Sequence, residues 1–226
     1  MKWLRGFTIL LVFLGISVCS SISNVALASN FSIESEWHHI TVGYNYKSLG
    51  SLNDKLTFQV TGNYMQSELS VVSSKKDVKK LILEYPIYSP KVSLMPLNFY
   101  VKAITDNTTG KHFWVILARE GNKVIGWGLW IVGEHNGQYV TYISEQGLNA
   151  MGWQRPANKS TRNGITTENG DLYIQFTEVY RDSSLPEYKT NINVNPVTFK
   201  LFWDEKANWF GVERVYTALP NSVMYH

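Results

Sequence analysis

Cysteine is all but missing from this chain. The single residue, Cys19, lies within the first 28 positions, so everything after them is free of thiols. That excludes a disulfide framework, a cysteine-ligated zinc site and a thiol nucleophile from the remainder. About 200 residues follow, long enough to bury a core without covalent staples. An excess of one charge is missing too. There are 21 basic and 18 acidic residues, and two of the basic ones, Lys2 and Arg5, fall in the leader. No basic stripe is left to grip a phosphate backbone, so a nucleic-acid partner is not expected. The one charged run, Lys75–Lys80, reads as a solvated turn or helix end.

Long hydrophobic runs are also lacking. The longest, Phe7–Val18, falls short of the roughly 20 residues that span a bilayer as a helix. It follows Lys2 and Arg5 and precedes Ala26-Leu27-Ala28, the small-residue pattern a signal peptidase cuts. The expectation is a secretory signal over residues 1–28, with the mature chain starting at Ser29 and working outside the cytoplasm, secreted or periplasmic. No transmembrane segment is expected after cleavage. The competing readings are an uncleaved anchor, and a lipoprotein acylated on Cys19. Lipoprotein signals favour a small residue before the cysteine, whereas Val18 is branched. A thiol-free exported chain fits a bacterial source.

Catalytic and cofactor motifs are missing as well. No Gly-x-Ser-x-Gly elbow occurs, and Gly126-Trp127-Gly128 lies inside an apolar run where it opens no helix. None of the five histidines forms a His-Glu-x-x-His pair. The neighbours His38 and His39 would point to opposite faces of a strand, which one metal ion cannot easily bridge. No metal and no cofactor are expected.

What the chain does have is strand chemistry. Aromatics make up 14% of it, interleaved with Val, Ile and Thr. Phe99–Ile104, His112–Arg119, Val124–Val132 and Tyr139–Ser144 are joined by short Asn/Gly-rich stretches, which predicts an antiparallel meander. Both faces of the second and third strands are apolar, so these two are expected at the centre of a sheet covered on both sides. Gly126 and Gly128 would leave a trough there for a ring or a ligand. Thr198–Trp203 and Trp209–Tyr216 predict a C-terminal hairpin. Leu172–Tyr180 reads as an isolated strand, and His39–Tyr46 and Leu56–Thr61 as two further ones. A helical turn is expected over Glu145–Met151. Asp77–Glu84 is readable as either a short helix or a strand. The proline-broken stretch from Tyr85 to Leu97 reads as an irregular connection. The fold class is all-β: one domain over residues 29–226, an antiparallel barrel or two-layer sandwich with one or two short helices.

The two long segments Glu145–Asp171 and Asp182–Pro196 interrupt this regularity, and long loops in compact domains are often functional. They carry Trp153, Arg155 and Tyr188, which offer stacking, a charged fork and a hydroxyl. These three form the expected ligand-binding set, at one end of the sheet where the loops meet. The opposing expectation for Trp153 is a ring that pins its loop to the core. The favoured function is an exported, non-catalytic binding or envelope-associated module for an extracytoplasmic ligand or protein, with a glycan or small apolar molecule as the candidate ligand. The alternative is a hydrolase of cell-wall or polysaccharide substrates using the carboxylates Glu178 and Glu213, which such chemistry requires about 5–10 Å apart.

Overall fold

The computed structural model describes residues 30–50, 53–63, 66–75, 81–82, 97–120, 126–153, 160–181 and 191–216. Fourteen strands are assigned among them. They are β1 (Phe31–Ile33), β2 (His38–Ile40), β3 (Tyr46–Leu49), β4 (Lys55–Asn63), β5 (Gln66–Ser73), β6 (Leu81–Ile82), β7 (Leu97–Asp106), β8 (Lys111–Glu120), β9 (Gly126–His135), β10 (Gln138–Ser144), β11 (Ser160–Glu168), β12 (Asp171–Arg181), β13 (Asn191–Asp204) and β14 (Trp209–Val215). One short helix, α1 (Glu145–Leu148), runs into a single 3₁₀ turn, Asn149–Met151. This is the helical turn expected from the sequence.

The strands form three antiparallel meanders in chain order. The first sheet is β3-β4-β5-β6. The second is β7-β8-β9-β10, with β1 and β2 added along β7. The third is β11-β12-β13-β14. The second sheet lies between the other two. Its Phe99, Val101, Trp114, Ile116, Trp130 and Val132 share one core with Leu56, Phe58, Leu69 and Val71 of the first sheet. Its Phe113, Val115, Leu117, Leu129 and Ile131 share the other with Ile174, Phe176, Phe199 and Leu201 of the third. The two-sided apolar pattern of β8 and β9 is thus the mark of a middle layer. Each such side chain contributes about 1.5–3 kcal/mol on full burial, and in the middle layer both residue parities contribute. Of the two expected architectures the chain adopts the sandwich, with a third layer.

Glycines in this stack make room for rings. The trough at Gly128 is filled from within its own strand: a Cβ there would stand 2.4 Å from the ring of Trp130. At Gly133 the ring is Phe113, and at Gly211 it is Phe202 on the neighbouring strand. The aromatic takes the space the missing side chain leaves. A bulge between Thr141 and Ile143 does a related job, since it lets consecutive Tyr142 and Ile143 both enter the same core.

Several elements depart from expectation. His39–Tyr46 is not one strand. It breaks at Gly43 (φ +87°) into β2 in the middle sheet and β3 in the first. Leu172–Tyr180 is not isolated but part of β12, which pairs on both sides. The polar segment Glu145–Asp171 contains the whole of β11, and β13 begins at Asn191, inside the expected second loop. In the Asp77–Glu84 stretch, Leu81–Ile82 is strand. The rest of that stretch, and all of Tyr85–Leu97 except Leu97, lie outside the described residues.

Candidate functional site

The two ends of the sandwich differ in chemistry. At one end the chain turns back between β3 and β4, β7 and β8, β9 and β10, β11 and β12, and β13 and β14, with Asn53, residues 107–110, 136–137, 169–170 and 205–208 described there. Asn136 and Asn169 each precede a glycine, and both residues of each pair have positive φ, between 50° and 84°. That is the requirement of the two-residue hairpin loop that follows strand twist. Polar bonds then lock the layers together. The Tyr139 hydroxyl donates to Oδ1 of buried Asp54 at 2.8 Å, tying the middle sheet to the first. Lys111 Nζ donates to Asn208 Oδ1 at 2.7 Å and lies 4.6 Å from the Trp203 ring centroid, tying the middle sheet to the third. His135 Nδ1 lies 3.1 Å from the Asn208 carbonyl oxygen, and its ring meets Trp209 edge-on. The Phe31 N–H donates to the Gly170 carbonyl at 2.7 Å. These bonds make this end a clamp across the three layers.

The opposite end carries the strand ends that flank residues 121–125, 154–159 and 182–190, and the crossover turn Thr41–Asn45. That turn has no charged residue and presents Val42 at 51% and Tyr44 at 74% exposure. Its base is stiff. His38, on β2, stacks on Tyr46, on β3, with ring centroids 4.0 Å apart. The His38 Nε2–H donates to Glu34 Oε1 at 2.8 Å, while Glu34 Oε2 accepts from the Ala103 N–H at 3.1 Å. On the other face of β2, His39 stacks on Tyr100 with centroids 4.7 Å apart. The two histidines do point to opposite faces. Burial raises the Tyr46 phenol above its ordinary value, the Ser48 hydrogen bond opposes this, and Glu34 adds to it. Lys102 donates to the Ser35 carbonyl at 2.8 Å and lies 5.0 Å from the Trp37 ring centroid. Its ammonium is pushed below the ordinary lysine range by desolvation, with Glu34 partly offsetting the shift.

The residues expected to bind ligand fall differently. Trp153 is buried, with only 3% exposure. Its ring stacks on Phe176 at 4.7 Å, and its Nε1–H donates to buried Glu145 Oε1 at 3.0 Å. The ring folds back because the helical turn before it ends at Gly152 (φ +95°), where Arg214 packs so closely that a Cβ would stand 2.2 Å from its guanidinium. Arg155 and Tyr188 lie outside the described residues. The strand ends that lead to them are close together, since Ser160 pairs with Val179 and Arg181 with Asn191.

The two carboxylates do not meet. Glu213 is in register with Lys200 and Glu178 with Val194, six residues apart along β13. At the rise of a strand that is about 20 Å, at least twice the spacing of a glycosidase pair. Among the described residues no group of three His, Cys, Asp or Glu side chains could hold a metal ion. No described helix is long and apolar enough to cross a membrane.

The residues missed from the sequence are Val42 and Tyr44, hidden in an apparently continuous strand. Gly43 between them was the available signal. Fold and surface together define an all-β, three-layer meander protein with a polar clamp at one end and an exposed apolar turn at the other. Comparison with protein-family models, curated proteins and solved structures finds no match to this chain.

Proposed function

We propose that the chain is an exported, non-catalytic binding module of a bacterial envelope, with residues 1–28 acting as its cleaved signal. Its contact surface is the end opposite the clamp, with the Thr41–Asn45 turn at the tip. The observation that carries this reading is the pair Val42 and Tyr44, two large side chains left in water on a turn whose base is held by stacking and by Glu34. Loops on a rigid frame are where recognition concentrates. The approximately 20 Å separating Glu178 from Glu213 along β13 removes the support for the hydrolase alternative.

The test uses the full chain expressed with its leader, and the exported form recovered. N-terminal sequencing is expected to begin at Ser29. Co-sedimentation with isolated bacterial envelopes is expected to show saturable binding, weakened about tenfold or more in a Val42→Ser/Tyr44→Ser double variant, which is about 1.4 kcal/mol. An intact Met1, or equal binding by the double variant, would overturn the respective half of the reading.

A further inference from the structure

The chain contains three Asn-Gly dipeptides: Asn163-Gly164 lies within β11, in register with Phe176 and Gln175, whereas Asn136-Gly137 and Asn169-Gly170 form two-residue turns with closely similar backbone angles. An Asn-Gly pair is the dipeptide most open to intramolecular attack, because glycine puts no side chain in the path of its own nitrogen. The two turns differ in what holds their reacting groups. At Asn136 the attacking nitrogen is engaged, since the Gly137 N–H donates to the Glu134 carboxylate. Its amide is engaged as well: Nδ2 lies 3.0 Å from His135 Nε2, and Oδ1 accepts from Asn208 Nδ2 at 3.5 Å. Asn169 is exposed, and among the described residues neither its side chain nor the Gly170 N–H has such a bond.

We propose that Asn169 is a site of spontaneous succinimide-forming modification, and that Asn136, in the same dipeptide, is shielded from it. The Gly170 nitrogen loses its proton to solvent and bonds to Asn169 Cγ. The Cγ–Nδ2 bond breaks and ammonia leaves. Water then opens the ring to aspartate or isoaspartate, and no oxidant or reductant takes part. Isoaspartate inserts an extra carbon into the main chain of a two-residue turn. That displaces the Gly170 carbonyl, the acceptor of the Phe31 N–H at 2.7 Å. The modification therefore unpins the start of β1 from the third sheet.

The experiment is peptide mapping of the exported protein held in warm, mildly alkaline buffer, with a parallel sample in concentrated urea. In the folded protein, the peptide bearing Asn169 is expected to gain one mass unit and an isoaspartate form, assigned by fragmentation to Asn169 and not to Asn163, which lies in the same stretch. The Asn136 peptide is expected to lag about tenfold, equivalent to about 1.4 kcal/mol of added barrier. In urea the two rates should converge, and Glu134→Ala should bring Asn136 closer to Asn169 in the folded state. Hydrogen exchange at Phe31 should lose protection in the modified fraction only. Equal rates in the folded protein, a faster Asn136, no modification at Asn169, or the same lag persisting in urea would each overturn the proposal.

Discussion

Replacing Trp153 tests whether that ring is structure or ligand surface. In Trp153→Ala the buried ring is removed from its stack on Phe176, and Glu145 loses the indole N–H it accepts. Large-to-small changes of a buried tryptophan cost about 3–5 kcal/mol. Weakening the partner set of a buried carboxylate costs up to about 1–3 more where nothing replaces the bond. A loss of at least about 4 kcal/mol is therefore expected, a large part of a typical stability of roughly 5–15 kcal/mol. In a chain of this size that lowers the melting temperature by about 8–16 °C. Trp153→Phe separates the two contributions. It keeps a ring against Phe176 but not the N–H, and should cost about 1–2 kcal/mol. Urea denaturation followed by far-UV circular dichroism measures both, with unchanged denaturant slopes confirming that only stability moved. If Trp153→Ala is as stable as the wild type to within about 0.5 kcal/mol and loses envelope binding, the ring is a contact surface and its packed role is refuted.

Three further outcomes follow from the packing. Gly128→Ala should destabilise by about 1–3 kcal/mol, because its Cβ meets the Trp130 ring and neither neighbouring layer has slack; a wild-type urea midpoint would refute it. Asp54→Ala removes the carboxylate that accepts from the Tyr139 and Ser73 hydroxyls and should cost about 1–3 kcal/mol, part of it recovered in the Asp54→Ala/Tyr139→Phe double variant by the same measurement. Tyr142 is held above its ordinary value of 10.0 by burial, with the Glu134 charge adding to the effect. The neutral phenol is the form the fold favours, so its stabilisation is complete below about pH 10 and is lost as pH rises further. Urea midpoints measured across that range should fall in the wild type and fall less in Tyr142→Phe.

The middle sheet was the most legible part of the sequence, because its strands are apolar on both faces and its turns are short and rich in Asn and Gly. The layers around it were harder to read. Strand β5 places Leu69 and Val71 in the core with Ser70 between them, but most of its other residues are too polar for it to stand out. Strand β11, rich in threonine and at a sheet edge, resembles a loop in composition, and the Asn169-Gly170 signal at its end was the clue that it enters a hairpin. Burial of Trp153 had no local signature, since the ring that covers it, Phe176, comes from a strand more than twenty residues further on. The exposed turn was obscured for the opposite reason: Val42 and Tyr44 have strand-like side chains in a place where the chain leaves one sheet for another.

The order of the layers also sets a constraint on how the chain comes into being. Each four-strand meander closes through neighbours in sequence and can form from local contacts, whereas β1 and β2 must wait for the distant β7. The middle sheet, however, is complete before the third has been synthesised. Until β11–β14 arrive, Phe113, Val115, Leu117, Leu129 and Ile131 form an uncovered apolar face, although the opposite face is already packed on the first sheet. A chain cut short after Ser144 would therefore be a half-covered sandwich prone to self-association. Synthesis from the N-terminus makes the last four strands the step that covers this apolar face.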